Sequence, residues 1–218
     1  MKKIIPFALL ILLIFFKTEN IESSPASVSY SAGDIILSDG SIVKTKDFND
    51  IDSSNPPMAV IVELQDDETV LGLGVHRSEE PLPWEIDETA QSDMQPNTAE
   101  SENSPALVFV NTYAKTYVSN DDYASGWYMP DISELHAIYD NRKAINASLE
   151  KIYQLDNNAS MDELGTNWYW ASTPSKTSDD YAWFMHFFNG YASDCSKNFT
   201  NVHVLAVRKF QAEGSDAA

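Results

Sequence analysis

The sequence has little cysteine, little positive charge and few glycines. Among 218 residues there is one cysteine, Cys195, so no internal disulfide can form and we expect an unpaired, partly buried thiol. Fourteen lysines and arginines stand against 33 acids, which gives a formal net charge of −19. Because such a field repels nucleic acid, anionic lipid and sulfated glycans, we expect none of these as partners.

The signatures of common enzyme classes are also missing. The sequence has no G-x-S-x-G motif, no phosphate-binding loop, no dinucleotide-binding glycines and no zinc-protease histidine pair. Four histidines lack metal-ligand spacing, although His186 and His203 would meet if they lay on neighbouring strands. The other two are His76 and His136. We therefore predict no catalytic residues, no metal and no cofactor.

Two acidic pairs raise the question of calcium. Asp121–Asp122 and Asp179–Asp180 lie outside any calcium-loop pattern with its required glycine. We interpret them as solvated surface acids, and calcium binding stays open.

The one long apolar run lies at the amino terminus. "MKKIIPFALLILLIFF" places two lysines before the run and polar residues after it, which is the layout of a secretory signal. The run is short for a bilayer-spanning helix. Small residues suggest cleavage before Ser27, and an uncleaved membrane anchor is the alternative. Residues 1–26 are thus predicted to be a signal peptide or signal anchor, the only membrane contact, and the protein to be exported to the periplasm, cell surface or exterior.

The remainder is long enough for one α+β domain with its own core, residues 27–212, followed by a disordered tail, residues 213–218. Two short apolar runs around Asp39-Gly40 predict a β-hairpin. "MAVIVEL" and "VLGLGVH" predict an antiparallel strand pair that is covered on both faces, because their apolar residues are continuous and do not alternate.

An acidic insertion follows these strands. Residues 66–102 hold eleven acids and a single basic residue, Arg77. Residues 77–105 are rich in prolines and serines and lack periodic apolar positions, and Trp84 is their only aromatic residue. We predict that residues 77–105 form a solvated, exposed insertion within the domain.

Helical patterns occupy the middle of the chain. "ALVFVNTYAKTYV" has apolar residues at helical spacing. Asp131 and Glu134 form a capping box directly after Pro130. Two apolar stripes follow, namely Ile132, Leu135, Ile138 and Tyr139, and then Ile145, Leu149, Ile152 and Tyr153. Three predicted strands complete the chain: Trp168–Ala171, Tyr181–Phe188 and Val202–Phe210.

The order of several short motifs resembles that of a bacterial family. The motifs are Gly126-Trp127-x-x-Pro130, Tyr169-Trp170-x-Ser172, Ala182-Trp183 with Phe187-x-x-Gly190, and Val204 to Arg208. They are similar to G-W-x-L-P-x-x-x-E-L, Y-W-S-S-T, A-x-x-V-x-F-x-x-G and V-R-x-V-R of the Lcl C-terminal domain family. The resemblance covers roughly the last half of the chain, and the order of the motifs is its specific part.

This resemblance implies a C-type-lectin-like fold with antiparallel strands, two to three helices and long loops, and distant kinship with formylglycine-generating enzymes. Those enzymes use a pair of cysteines, which one cysteine cannot supply. Leu205 replaces the first arginine of the last motif and leaves Arg208 alone, which weakens the case for a site built on an arginine pair. The residues given structural roles by the motifs are Trp127, Pro130, Asp131, Glu134, Trp170, Phe187, Gly190 and Arg208.

The aromatic strand 181–188 divides its side chains between two faces. Phe187 is a motif position, so we assign its face to the core, together with Trp183 and Met185. Phe184, His186 and Phe188 lie on the other face, where they belong to a recognition surface or are covered by a neighbouring element. The predicted binding residues, around loops 174–180 and 191–200, are Tyr181, His186, Phe188, Tyr191, Lys197 and Asn198.

Two functions fit the sequence. The first is an exported binding module without catalysis, an adhesin or lectin-like protein that recognises a glycan or a protein. The alternative is a structural component of the cell envelope without a dedicated ligand site. The sequence leaves the oligomeric state open.

Overall fold

The computed structural model describes residues 29–65, 69–86, 103–156 and 164–211. The described residues form two antiparallel sheets and two helices, which confirms the α+β class. The strands are β1 (Ile35–Leu37), β2 (Ile42–Val43), β3 (Pro57–Leu64), β4 (Thr69–Arg77), β5 (Trp168–Pro174), β6 (Tyr181–His186), β7 (Tyr191–Ser196) and β8 (Leu205–Gln211). The helices are α1 (Pro105–Tyr117) and α2 (Ile132–Leu155), with a 3₁₀ turn at Asp121–Tyr123 between them. The predicted signal segment and tail lie outside the described residues.

The larger sheet has the strand order β2-β1-β3-β4-β8. Both predicted strand pairs are confirmed: Ile35 pairs with Val43 in the first hairpin, and Ala59 pairs with Gly74 in the second. Gly40 closes the first hairpin at a φ of +89°, a left-handed conformation that favours glycine. None of the described helices is long and apolar enough to cross a membrane.

Two hydrophobic cores lie on opposite faces of this sheet. Alternate residues of β3 supply them: Val60 and Val62 pack with α2, whereas Ala59 and Ile61 pack with α1. All four side chains are fully buried, which confirms that both faces of the strand pair are covered.

Two glycines in β4 allow an aromatic layer to lie against the sheet on the α1 side. A Cβ at Gly74 would collide with the hydroxyl group of Tyr113 and lie 3.0 Å from the Trp127 ring. A Cβ at Gly72 would lie 2.5 Å from the Phe210 ring. Phe210 and Trp127 pack edge to face, 5.9 Å apart, in this layer. The rings therefore fit against the sheet because Gly72 and Gly74 have no side chain.

Helix α2 begins at the predicted capping box. The Asp131 carboxylate accepts a hydrogen bond from Glu134 N at 2.8 Å, and the Glu134 carboxylate accepts one from Asp131 N at 2.9 Å. Both predicted stripes fall on this one helix, but the prediction for Tyr153 is wrong, because 47% of it is exposed. Ser148 is buried instead and donates its hydroxyl to the Gly33 carbonyl. The buried apolar residues are Leu135, Ile138, Ile145, Leu149 and Ile152.

The smaller sheet has the order β5-β6-β7. Strand β7 corrects the prediction of a loop over residues 191–200, because it pairs with β6 along its whole length. The turn between them is closed by Gly190 at a φ of +72°. The predicted strand 181–188 ends at His186, and the last strand starts at Leu205 instead of Val202.

The first part of the acidic insertion is packed into the fold. Trp84 is 2% exposed and donates its indole N–H to the Ala171 carbonyl at 3.2 Å. Glu85 is 5% exposed. The prediction that residues 77–105 are exposed throughout is therefore wrong for this part, while residues 87–102 lie outside the described residues. Ile86 N donates to the Asn103 carbonyl at 2.8 Å, so the two ends of that stretch are adjacent.

Candidate functional site

The six predicted binding residues do not form one site. Tyr181 pairs with Ser196 at one end of the β6–β7 hairpin, and His186 pairs with Tyr191 at the other. Five residue steps along a strand separate the ends by about 17 Å. His186, Tyr191 and Phe188 therefore lie together, whereas Tyr181 lies apart from them.

Lys197 is the predicted binding residue whose position differs most from the prediction. It is 7% exposed, its Nζ lies 3.4 Å from a carboxylate oxygen of Glu85, and it stands over the Trp84 ring at 4.9 Å. Glu85 N also donates to the Lys197 carbonyl at 3.0 Å. Because these contacts join the 78–86 segment to the end of β7, Lys197 has a packing role and does not present its charge to a ligand. Asn198 is half-buried and accepts a hydrogen bond from the Ser196 hydroxyl.

A row of rings crosses one face of the smaller sheet. Trp168, His186 and Tyr191 are direct neighbours on β5, β6 and β7 and therefore share a face. The rings of Trp168 and His186 are 5.2 Å apart. Phe188 extends the row beyond His186, at 6.0 Å, and Phe199 flanks Trp168, at 5.9 Å. We call these five residues the aromatic ledge.

The ledge is the uncovered end of a face that is otherwise buried. At the other end Trp170, Ala182 and Phe184 belong to the core on the α1 side. Phe184 is 6% exposed and stacks on Trp168 at 4.9 Å, so the alternative that a neighbouring element covers this face holds for Phe184. It does not hold for Phe188, of which 69% is exposed, or for Tyr191, of which 60% is exposed.

The two stretches that carry most of the ledge have neutral polar groups. The Asn189 side-chain oxygen accepts a hydrogen bond from Tyr191 N at 3.1 Å and lies 3.2 Å from Nδ1 of His186. Residues 186–193 and 198–203 supply amides and hydroxyls and include no lysine, arginine, aspartate or glutamate. Two charged residues lie between these stretches in sequence. Lys197 is paired with Glu85 inside the fold, and the Asp194 carboxylate accepts hydrogen bonds from the Ser175 and Thr177 hydroxyls.

The sequence matches the profile of the Lcl C-terminal domain over residues 75–208, more than half of the chain. The chain belongs to the Lcl C-terminal domain family. The matched span begins in β4 and ends in β8, two strands that pair with each other. Strands β1 to β3 lie before the span and complete the larger sheet of this Lcl domain. A comparison with curated proteins gives no match.

The Lcl motif residues build the frame and not the ledge. Trp127, Trp170 and Phe187 are buried. Gly190 fits against the ring of Tyr139, which a Cβ would approach to 2.7 Å. Arg208 donates to the Ser125 carbonyl at 2.8 Å and stands over the Tyr123 and Phe210 rings. The ledge uses positions that the motifs leave unspecified or that lie outside them, so the family pattern does not identify these positions. The C-type-lectin-like fold and the kinship with formylglycine-generating enzymes stay predictions.

Sequence reasoning missed two ledge residues, Trp168 and Phe199. The period of two in β5 gives a signal for Trp168, because it places Trp168 on the same face as Trp170. Phe199 carries no such signal, since it reaches Trp168 through the irregular segment after β7.

Cys195 and His203, two reactive side chains away from the ledge, are both partly buried. Burial, with a smaller contribution from Asp194, raises the pKa of the half-buried Cys195 thiol to about 11, so the thiol is a poor nucleophile at neutral pH. His203 and His186 do not lie on neighbouring strands; Nδ1 of His203 is 3.1 Å from Nη1 of Arg77. Within the described ranges, no three His, Cys, Asp or Glu side chains are placed to hold a metal ion.

A cleft beside the start of α2 differs from the ledge in its chemistry. A cleft of about 550 Å³ lies beside the capping box, where the Tyr128 hydroxyl donates to Glu134 at 2.6 Å and Thr173 accepts from Ile132 N at 3.0 Å. The side chains of Tyr128, Glu134 and Thr173 in its lining are therefore already hydrogen-bonded within the fold. The ledge, in contrast, leaves most of the Phe188 and Tyr191 rings exposed.

Proposed function

We propose that this member of the Lcl C-terminal domain family is an exported binding module without catalysis, and that the aromatic ledge is its ligand-contact surface. The observation that carries the proposal is the exposure of Phe188 and Tyr191 in a row that continues through His186 to Trp168. Covering apolar surface is favourable by about 25 cal/mol per Å². Clustered exposed rings on a folded domain are typical of an interaction site.

The remaining parts of the proposal rest on chemistry in the sequence. The chain starts with two lysines, an apolar run and then polar residues, and this order supports export. The raised pKa of the Cys195 thiol disfavours the cysteine chemistry of the formylglycine-generating enzymes. A structural envelope component is the second candidate, and it is favoured by the burial of Phe184 and Lys197, two side chains that the sequence left available for binding.

The test is a screen of the purified protein against glycan and protein arrays. We expect at least one ligand whose binding is lost in the Phe188→Ala/Tyr191→Ala variant and kept in Tyr153→Ala. Tyr153→Ala is the matched control, because it also removes the ring of an exposed tyrosine, which lies on α2 and away from the ledge. Ligands that bind the ledge variant as well as the parent would remove the ledge as the site. The absence of any ligand would favour the structural component.

Export has a separate test, which is cell fractionation followed by mass determination. We expect the protein outside the cytoplasm, either shortened by residues 1–26 or membrane-bound with them. Recovery of the intact chain from the cytosol would contradict export and leave the binding surface unaffected.

A further inference from the structure

The ledge is small, which limits the kind of ligand it can hold. Three neighbouring strands, at about 4.8 Å spacing, give the Trp168–His186–Tyr191 row a width of about 10 Å. A stable protein–protein interface needs about 800 Å² on each partner. The exposed rings cover a fraction of that area, whereas a row of this length matches about two rings of a small oligomeric ligand.

The polar rim offers neutral donors and acceptors. The Asn189 side-chain oxygen lies 3.2 Å from Nδ1 of His186, so the polar groups of these two residues are side by side at the rim. The exposed Asn189 contributes an amide N–H₂ group, and the hydroxyls of Tyr191 and Ser193 lie on neighbouring positions of β7. A ligand that matches this surface has an apolar face for the rings and hydroxyl groups at its edge.

The lack of charged side chains in the ledge stretches narrows the class of ligand further. Residues 186–193 and 198–203 have no formally charged side chain, so neither an anion nor a cation finds a countercharge among them. The net charge of −19 repels an anionic ligand at long range. A cation is best held where rings enclose it, whereas the ledge presents its rings in a row, with Trp168 and His186 inclined at 73°.

We infer that the ligand of the aromatic ledge is an uncharged carbohydrate, bound by stacking of its pyranose rings on Tyr191 and Phe188 with hydrogen bonds to Asn189 and His186. The inference rests on the proposed function and adds the class of ligand. A pyranose in its chair form has one face of C–H groups, whose small positive charge suits the negative face of an aromatic ring. Its equatorial hydroxyls point outward in the ring plane and reach the rim.

The experiment is calorimetric titration of the full-length protein with matched oligosaccharides. The uncharged probes are trisaccharides of glucose, galactose, mannose and N-acetylglucosamine. The charged probes are the deacetylated, cationic form of the last one and a sulfated heparin oligosaccharide. We expect saturable binding of at least one uncharged probe, with a Kd that is nearly constant between about 50 and about 500 mM salt, because no ion pair forms.

The ledge variants assign the site. Tyr191→Ala and Phe188→Ala should each raise the Kd of the bound probe by about tenfold. Tyr191→Phe, which keeps the ring, should restore most of the affinity, and Tyr153→Ala should leave it unchanged. Near-ultraviolet circular dichroism checks that every variant is folded.

Three outcomes would overturn the inference, and they separate it from the proposed function. Ledge-dependent binding of only charged probes, or of a protein from the arrays, would refute the carbohydrate and leave the binding module standing. Binding of an uncharged probe that the ledge variants do not weaken would refute the ledge itself. No ledge-dependent ligand in either screen would refute both.

Discussion

The indole N–H of Trp84 donates to the Ala171 carbonyl, and that of Trp170 donates to the Leu82 carbonyl at 2.8 Å. The Tyr113 hydroxyl likewise accepts a bond from His76 N. These buried aromatic residues each have a partner for their polar atom, which is what burial requires. The exposed rings of Phe188 and Tyr191 differ from buried rings such as Phe187 and Tyr113 in their position in the fold and not in residue type. Burial is therefore the property that separates structural rings from candidate binding rings in this molecule.

The Lys197–Glu85 pair gives a prediction at the scale of single residues. Lys197→Met should lower the free energy of unfolding by about 3 kcal/mol, because it leaves the buried Glu85 carboxylate without its cation. Adding Glu85→Gln should recover much of that loss, since the second change removes the unpaired charge. Urea unfolding of the two single variants and the double variant measures the coupling. A loss below about 1 kcal/mol for Lys197→Met would mean that the pair behaves like a solvated one.

Two histidines predict how stability depends on pH. Burial lowers the pKa of His76 and of His203 below the ordinary value of 6.5. The unfolded chain therefore binds more protons below that pH, so this contribution to stability is present above pH 6.5 and is lost as the pH falls through it. Carboxylates with a lowered pKa, such as Asp39, lose their contribution only below about pH 4.

The measurement is the urea midpoint at about pH 7.5 and about pH 5.5. The His76→Phe/His203→Gln variant should lose less stability than the parent over this interval. His76→Phe keeps a ring against Tyr117, on which His76 stacks at 4.2 Å. His136→Gln is the control, because His136 is exposed. An unchanged difference between the two midpoints would assign the pH dependence to other groups.

At the scale of elements, the sequence predicts what local patterns determine. The first hairpin, the β3–β4 pair, α1 and the start of α2 all follow from turn residues, periodicity and a capping box. Strand β7 could not be predicted in this way. Its sequence, "YASDCS", is polar, and it becomes a strand because β6 pairs with all six of its residues.

The missed contacts are those between residues far apart in sequence. Trp84 bonds to Ala171, 87 positions away, and no local pattern marks it as buried. On α2, Ser148 takes the inward position instead of Tyr153, because its hydroxyl has an acceptor in Gly33, 115 positions away. For the ledge, the sequence supplied His186, Phe188 and Tyr191, and the register of the sheet was needed to add Trp168.

The capping box gives a prediction for α2. Asp131→Ala should cost about 1 kcal/mol, because Glu134 N loses its acceptor in the first turn. For a domain of this size that corresponds to a fall in Tm of about 3 °C. Asp140→Ala, in the exposed middle of the same helix, is the control and should change the Tm by much less. Equal effects of the two substitutions would show that lost charge, and not the cap, is responsible.

At the scale of the whole molecule, the Lcl segment does not contain all of its own core. The family match covers residues 75–208, yet β3 supplies Val60 and Val62 to one core and Ala59 and Ile61 to the other. The larger sheet has α1 on one side and α2 on the other, and the smaller sheet extends both cores. The family motifs therefore specify a frame that the amino-terminal strands complete. The ledge lies on the smaller sheet, where that frame leaves one end of one face uncovered.

The acidic insertion gives the prediction at this scale, and the structure divides it in two. Replacing residues 88–101 with a linker of about four Gly and Ser residues should change the Tm by only a few degrees, because the Ile86–Asn103 hydrogen bond already brings the two ends together. Removing residues 78–104 instead should prevent folding. That deletion takes away Trp84 and Glu85, which leaves a cavity under Ala171 and an unpaired Lys197.

Thermal melting and near-ultraviolet circular dichroism of both proteins test the division. If the protein with the longer deletion folds as well as the one with the shorter deletion, the contacts of Trp84 and Glu85 are not needed for the fold. If the shorter deletion aggregates, residues 88–101 contribute to the fold in a way that the adjacency of their ends does not reveal.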